Sequence, residues 1–225
     1  MMMIYKRGSR GDIVRQIQRA LHLIQDGIFG PITEEAVKTF QREKGLKVDG
    51  IVGPATLALL IPSRFRKSKR MITEIIIHCT ATPEGQDATV EQIRADHIKN
   101  RGFADIGYHY VVYRNGHVIE GRDVDKIGAH CTNHNAHSIG IAYVGGVENK
   151  PGVPYSKQKP KDTRTLAQKA GLLSLLVDLR KLYPNATILG HRDTSPDLNG
   201  NGTVEPFEFI KACPCFDAKI EYRKI

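Results

Sequence analysis

One eight-residue pattern occurs twice near the start of the chain and restricts how that part can fold. DGIFGPIT (Asp26 to Thr33) returns 23 residues later as DGIVGPAT (Asp49 to Thr56). In each copy Asp-Gly is typical of a tight turn, and Gly-Pro opens a helix because proline is tolerated at the first helical position. The flanking segments are amphipathic, with one apolar face formed by Ile13, Ile17, Ala20 and Leu21 and another by Ala36, Val37, Phe40 and Gln41. Residues 1–61 are therefore predicted to form a small three-helix module.

This module resembles the peptidoglycan-binding domain that is attached to many cell-wall hydrolases. The likeness covers nearly all of residues 6–60, including GSRGDIVRQIQRAL and AVKTFQREKGL, and both copies keep D-G-x-x-G-P-x-T. An unrelated small helical bundle is the alternative. The resemblance implies peptidoglycan as the partner and no catalytic groups within the module.

Positive charge is concentrated in the same part of the chain. The formal net charge is +9, and residues 1–70 hold 14 Lys and Arg against 6 Asp and Glu, whereas residues 71–225 hold 19 against 18. A basic surface suits nucleic acid or an anionic cell-wall polymer. The run SRFRKSKR, within the predicted linker 62–71, also fits a solvated connection. We expect no nucleic-acid partner, because the sequence offers no base-reading motif.

Composition limits the remaining classes. Hydrophobic residues make up 40% and charged residues 25%, as in a soluble globular protein. No apolar run reaches the roughly 18 residues that a membrane span needs. The N-terminal MMMIYKRGSRGDIV lacks the apolar stretch of a secretory signal, so we expect synthesis in the cytoplasm and action on the wall after release or export by another route. We also expect a monomer. Four cysteines do not make a disulfide framework and are expected to be free thiols or metal ligands.

Residues 72–225 alternate between strand and helix patterns. Apolar runs predict buried strands in TEIIIHCTAT, SIGIAYVGG and ATILGHRD, and YHYVVYRNG with HVIEGR predicts a hairpin across Asn115-Gly116. Helices are predicted in TVEQIRADHIKNRG, ended by Gly102, and from Asp162 to Leu182. This order predicts an α/β domain with a mixed central sheet flanked by helices.

Two histidines, His78 and His191, each follow an apolar strand. A single histidine in such a place is usually structural. Two imidazoles and one thiolate that leave a fourth position open form the catalytic zinc pattern, although spacing in the sequence does not by itself assemble such a trio.

Residues 72–219 resemble the zinc-dependent N-acetylmuramoyl-L-alanine amidases of the type 2 family, which share a fold with phage lysozyme-type amidases and peptidoglycan recognition proteins. The matching segments, in the family's order, are IIIHCTAT, DIGYHYVVYRNG, NAHSIGIAYVGG, GHRD and KACPCFD. The resemblance implies hydrolysis of the amide between N-acetylmuramic acid and L-alanine by zinc-activated water. It favours a phage or prophage endolysin over a bacterial amidase exported by another route.

Two other functions stay open at this point. A recognition protein on the same fold would bind peptidoglycan without cutting it. A muramidase would need a pair of carboxylates, and the sequence singles out no such pair.

Carried over position by position, the resemblance implies His78, His191 and Cys213 as zinc ligands. Cys215 falls at a variable position. Cys79 follows His78 in a strand, where neighbouring side chains face opposite ways, so it should point away from the metal.

The resemblance also implies two catalytic residues and two contacts to substrate. Lys211 would stabilise the oxyanion. Tyr108 would position and stabilise the reacting groups, because a phenol is a poor base at neutral pH. Ala142 stands where many relatives carry glutamate, which leaves the general base unidentified. His109 and His137 would line the substrate cleft. The other histidines are expected to be at the surface or hydrogen-bonded, namely His22, His97, His117, His130 and His134.

The segment between the second and third predicted zinc ligands contains DLNGNGTVEPFE, which fits the calcium loop of an EF-hand. Loop positions 1, 3, 5, 7 and 12 are Asp197, Asn199, Asn201, Thr203 and Glu208, and position 6 is Gly202. HRDTSP before the loop cannot form a regular entering helix. We expect a lone calcium loop that orders the path into Lys211 and Cys213; the alternative is an Asn/Gly-rich turn that binds nothing.

Overall fold

The computed structural model describes residues 4–61 and 63–225, which form two compact units. One unit holds the N-terminal residues up to Arg66 together with Val177–Asn185 and Lys224–Ile225; the other holds Lys67–Leu176 and Ala186–Arg223. The first three residues of the predicted module and Pro62 of the predicted linker lie outside the described residues. The change of unit after Arg66 falls inside that linker, and the predicted domain limits stay predictions.

The N-terminal unit contains the three helices that the repeat predicts. They are α1 (Asp12–Ala20), α2 (Pro31–Glu43) and α3 (Pro54–Leu60). Proline is the first residue of α2 and of α3, as expected from Gly-Pro. Seven buried residues form the core of the module: Val14, Ile17, Phe29, Val37, Val52, Leu57 and Leu60.

A buried glutamine is hydrogen-bonded to several residues of each copy of the repeat. Gln18 and Gln41 occupy equivalent helical positions, and their amide nitrogens donate to the turn aspartate, to a backbone carbonyl and to the threonine that ends the repeat. The partners are Asp26, Ile28 and Thr33 for Gln18, and Asp49, Ile51 and Thr56 for Gln41. The amide oxygen accepts the glycine N–H of the Asp-Gly turn at 2.9 Å in both copies. Because buried polar groups need such partners, the two networks explain why the turn keeps its sequence.

The second unit is built on a five-stranded sheet. From residue 67 onward the elements are, in chain order, β1 (Glu74–Cys79), β2 (Thr82–Pro83), α4 (Val90–Arg101), β3 (Tyr110–Val112), β4 (Val118–Glu120), β5 (Ser138–Tyr143), β6 (Gly146–Val147), α5 (Leu166–Leu182), β7 (Thr187–Gly190) and α6 (Ala218–Glu221). The last residues of α5, from Val177, belong to the first unit. The strand order is β4-β3-β5-β1-β7, parallel except for the β3–β4 hairpin, and β2 pairs with β6 separately. The predicted mixed α/β sheet is confirmed.

The helices begin and end where local sequence directs them. α4 starts with a capping box between Thr89 and Gln92 and ends at Gly102, whose φ of 67° is left-handed. α5 starts at Leu166, later than predicted, because Thr165 and Gln168 cap it there: the Thr165 hydroxyl accepts the Gln168 N–H and the Gln168 side chain accepts the Thr165 N–H, both at 3.0 Å. No helix in the described ranges has the length and apolar character needed to span a bilayer.

The end of the predicted linker, from Lys67, belongs to the second unit and is hydrogen-bonded within it. The Ser68 hydroxyl donates to the Val124 carbonyl at 2.7 Å. The Arg70 guanidinium donates to the carbonyls of Val124, Asn135 and Ser138 at 2.9–3.2 Å. These contacts are those of a docked segment rather than of a solvated one.

Candidate metal centre

Strand register brings the two predicted histidine ligands together. β1 and β7 run parallel with Ile77 opposite Gly190, so His78 and His191 follow side by side at the carboxyl edge of the sheet. Their Nδ1 atoms lie 3.1 Å apart. The carboxyl edge of a parallel sheet is where such folds collect functional groups.

Cys213 reaches the same place from a third segment. Its carbonyl accepts the Arg192 N–H at 2.7 Å, which ties the cysteine to the residue after His191. Its Sγ lies 3.9 Å from the His78 Nδ1 and accepts the Cys79 N–H at 3.2 Å. A Cβ on Gly190 would lie only 2.6 Å from the Pro214 ring, so a glycine is needed where this segment packs. The ligand atoms of His78, His191 and Cys213 all lie within 4.8 Å of one another.

This donor set fits zinc. Zinc prefers four ligands with bonds of about 2.0–2.3 Å to nitrogen and sulfur, which separates neighbouring ligand atoms by about 3.3–3.6 Å. The separations of 3.1 Å and 3.9 Å bracket that range. Burial lowers the pKa of His78 well below its ordinary value, and nearby His130, His191 and Lys211 lower it further. His78 is therefore neutral at neutral pH, which is the form that binds a metal.

A third histidine, His130, lies behind His78 and contacts it. The His130 Nδ1 lies 3.0 Å from the His78 Nε2, and the Ser138 hydroxyl lies 3.3 Å from the His130 Nε2. A Cβ on Gly128 or Gly140 would collide with the His130 ring, so these glycines make the space for it. The sequence predicts only that His130 is at the surface or hydrogen-bonded, and its contact with a metal ligand was not foreseen. The one signal in the sequence is that His130 lies between Gly128 and Gly140, two glycines that leave room for its ring.

Tyr108 lies next to the ligand set. Its ring centroid is 5.3 Å from that of His78 and 5.3 Å from that of His97. Burial raises the pKa of Tyr108, so its hydroxyl stays protonated and is a donor rather than a base. Lys211 is exposed, two residues before Cys213.

The two histidines that were predicted to line the substrate cleft are not placed beside His78. His109 is fully buried; its Nδ1 accepts the Gly140 N–H at 2.9 Å, and its Nε2 lies 3.0 Å from the Arg70 guanidinium. Burial lowers the pKa of His109 to about 4. His137 lies at the opposite end of β1, against Glu74. Their contact with substrate stays a prediction, and the burial of His109 argues against it.

Cys79 contacts both of the cysteines that follow the loop. Its Sγ lies 4.0 Å from the Cys215 Sγ, and its backbone N–H donates to the Cys213 Sγ at 3.2 Å. A hydrogen bond between the Cys79 side chain and Cys213 raises the pKa of the Cys79 thiol. The expectation that Cys79 points away from the metal therefore stays a prediction. All four cysteines are free thiols.

The carboxylates of the predicted calcium loop accept hydrogen bonds from the backbone of the loop itself. Asp197 accepts the N–H groups of Gly200 and Gly202, each at 2.7 Å. The buried Glu208 accepts three more at 2.7–3.2 Å, from Leu198, Asn199 and Glu205. The loop itself ends in the 3-10 turn Pro206–Glu208, and no exiting helix begins directly after Glu208. This arrangement favours the Asn/Gly-rich turn, and it does not support the calcium prediction.

Known proteins match both units. A family model described as N-acetylmuramoyl-L-alanine amidase matches residues 68–206, and one described as a peptidoglycan binding domain matches residues 10–60. The endolysins of Klebsiella phage KP32 and Escherichia phage T7 are 37% and 35% identical over 158 residues, which is 70% of this chain and 90% of each relative. The solved endolysin of the Thermus scotoductus bacteriophage Ph2119 is 26% identical with a TM-score of 0.49, over 74% of this chain and 94% of that one. The chain belongs to the N-acetylmuramoyl-L-alanine amidase family.

Proposed function

We propose that the protein is a zinc-dependent endolysin that hydrolyses the amide between N-acetylmuramic acid and the L-alanine of the stem peptide. The observation that carries the proposal is the convergence of His78, His191 and Cys213 from three separate segments. Family membership supplies the substrate class, and the ligand set supports the chemistry.

His78 and His191 would hold zinc through Nδ1, and Cys213 through its sulfur. When bound, zinc supplies a Lewis acid for the scissile carbonyl and lowers the pKa of a water molecule to about 7. His130 fixes the orientation of the His78 ring through its 3.0 Å contact with Nε2. Such partners of metal-binding histidines hold the ring and its tautomer in place.

Tyr108 and Lys211 would act on the substrate. The protonated Tyr108 hydroxyl can donate a hydrogen bond to the oxygen on which negative charge develops, beside the His78 ring. The Lys211 ammonium group, on the segment that delivers Cys213, would stabilise the same charge. Preorganised donors of this kind contribute only when charge develops, so they raise the rate more than they tighten substrate binding.

The N-terminal module would hold the enzyme on the wall. It matches the peptidoglycan binding domain over residues 10–60. Tethering raises the local concentration of substrate at the catalytic unit, so each weak site benefits from the other. A calcium ion in the loop that follows Asp197 is not part of this proposal.

Digestion of purified peptidoglycan tests the proposal. We expect new L-alanine amino termini without new reducing sugar ends, and we expect His78→Ala to abolish their release. His117→Ala, which removes an exposed histidine of the hairpin turn, is the matched control and should cleave normally. Reducing ends would instead indicate a muramidase. Binding to peptidoglycan without either product would indicate a recognition protein.

A further inference from the structure

A second group of metal-binding side chains lies at the opposite end of β1 from His78. The Glu74 Oε2 is 2.8 Å from the His134 Nδ1 and 3.3 Å from the His137 Nε2. One ligand atom from each of the three residues lies within 4.8 Å of the others. The metal centre described above uses none of these residues.

The backbone that carries these side chains is fixed. Glu74 begins β1 and is paired with Ser138 of β5, the residue that follows His137. The Thr73 N–H donates to the His137 carbonyl at 2.9 Å, and the Ser138 hydroxyl donates to the His134 carbonyl at 2.7 Å. The three side chains are therefore held together before any ion binds, which lowers the entropy cost of binding.

The chemistry of the group selects the kind of ion. Two imidazole nitrogens and one carboxylate oxygen suit zinc, nickel and similar divalent transition metals, whereas calcium and magnesium prefer oxygen ligands alone. The side chains of Glu74, His134 and His137 are 19%, 27% and 40% exposed, so an ion can reach them from solvent and keep water in its remaining positions.

The geometry of the group is close to that of the ligands of a single ion. One oxygen of the Glu74 carboxylate faces both rings, whose centroids lie 5.8 Å apart. Its distances to the two ring nitrogens, 2.8 and 3.3 Å, are close to the roughly 3.3 Å that separates neighbouring ligand atoms of one zinc ion.

We propose that Glu74, His134 and His137 form a second site for zinc or a similar divalent transition metal, with a structural role. The ion would join β1 to the segment before β5. That segment also carries His130, which contacts His78. Glu74 and His78 lie four residues apart on the same face of β1, about 13 Å along the strand. The second site would therefore stabilise the segment that supports the first one.

Metal analysis after equilibrium dialysis against Zn²⁺ alone tests the number of sites. We expect two equivalents for the wild type and for the control His117→Ala. We expect one equivalent for His137→Ala and for the isosteric Glu74→Gln, and one for His191→Ala, which loses the first site instead. Circular dichroism checks that each variant is folded. One equivalent in the wild type, or two in a folded Glu74→Gln, overturns the proposal.

Thermal unfolding with Ni²⁺ alone separates the two sites. In a His191→Ala background, Ni²⁺ should raise the midpoint of unfolding by several degrees, because an ion that binds only the folded state stabilises it. Adding Glu74→Gln to that background should remove the shift, and adding His117→Ala should leave it. An equal shift in all three proteins would mean that nickel binds elsewhere, which also overturns the proposal.

Discussion

The metal centre and the loop from Asp197 to Glu208 both bring polar side chains together, but the partners of those side chains differ. At the centre, the His78 and His191 Nδ1 atoms face each other at 3.1 Å, and the Cys213 sulfur lies 3.9 Å from His78. In the loop, five backbone N–H groups donate to two carboxylates at 2.7–3.2 Å.

This difference indicates that the centre is arranged to bind an ion, whereas the loop carboxylates stabilise the fold of the loop. Two imidazoles and a cysteine sulfur that converge on one point form the ligand set of a shared zinc ion. Carboxylates that accept two or three backbone N–H groups already have partners, and they stabilise the turn that supplies those donors. The centre is thus prepared for a ligand, and the loop is complete without one.

The largest expected effect comes from removing the donor beside the centre. Tyr108→Phe should lower kcat by about 10²–10³-fold, the usual loss for one donor to a developing oxyanion, and leave zinc content unchanged because Tyr108 is not a ligand. Kinetics on purified peptidoglycan together with metal analysis measure both. Tyr155→Phe, which removes an exposed hydroxyl that donates to the Ala81 carbonyl, is the matched control. Near-normal turnover in Tyr108→Phe would remove this residue from the mechanism.

A smaller effect should follow from loss of the histidine behind His78. His130→Ala should weaken zinc binding by about 10–100-fold, the usual effect of removing a partner of a metal ligand. His97→Ala is the control, because His97 is also buried but accepts the Gly107 N–H rather than contacting a ligand. Competition with a zinc chelator measures the affinity of both variants. Equal affinities would mean that the His130 contact is incidental to the centre.

The sequence identifies some residues of the metal centre and misses others, for different physical reasons. The resemblance identifies His78, His191 and Cys213, and parallel strand register then explains why residues far apart in sequence meet. His130 is missed because its role depends on a partner 52 residues away and on space left by glycines.

The contiguous calcium pattern misleads for the opposite reason. Residues close in sequence can satisfy one another through backbone N–H groups, so the positions of oxygens in a motif do not say where those oxygens point. Arg70 is a similar case at the end of the predicted linker. The composition of the linker predicts that the Arg70 side chain is solvated, whereas in the structure its guanidinium donates to backbone carbonyls.

The smallest effects are expected in the loop, where mutation and calcium should act differently. Glu208→Ala leaves backbone N–H groups of a buried site without their acceptor. It should lower the free energy of unfolding by about 2 kcal/mol, or the melting temperature by about 4–8 °C. Glu205→Ala is the control, because that half-buried carboxylate accepts from the exposed side chains of Asn199 and Asn201 and receives none of the three backbone N–H groups that Glu208 accepts.

Calcium should not change the melting temperature of the wild type measurably between EGTA and millimolar CaCl₂. The reason is that the carboxylate oxygens of Asp197 and Glu208 already accept backbone N–H groups, which compete with an ion for those oxygens. A rise of several degrees that Glu208→Ala abolishes would reverse this conclusion. The loop would then be an ion-binding site, like the metal centre. The two regions would differ only in how many hydrogen-bond partners the chain supplies to the ligand groups when no ion is bound.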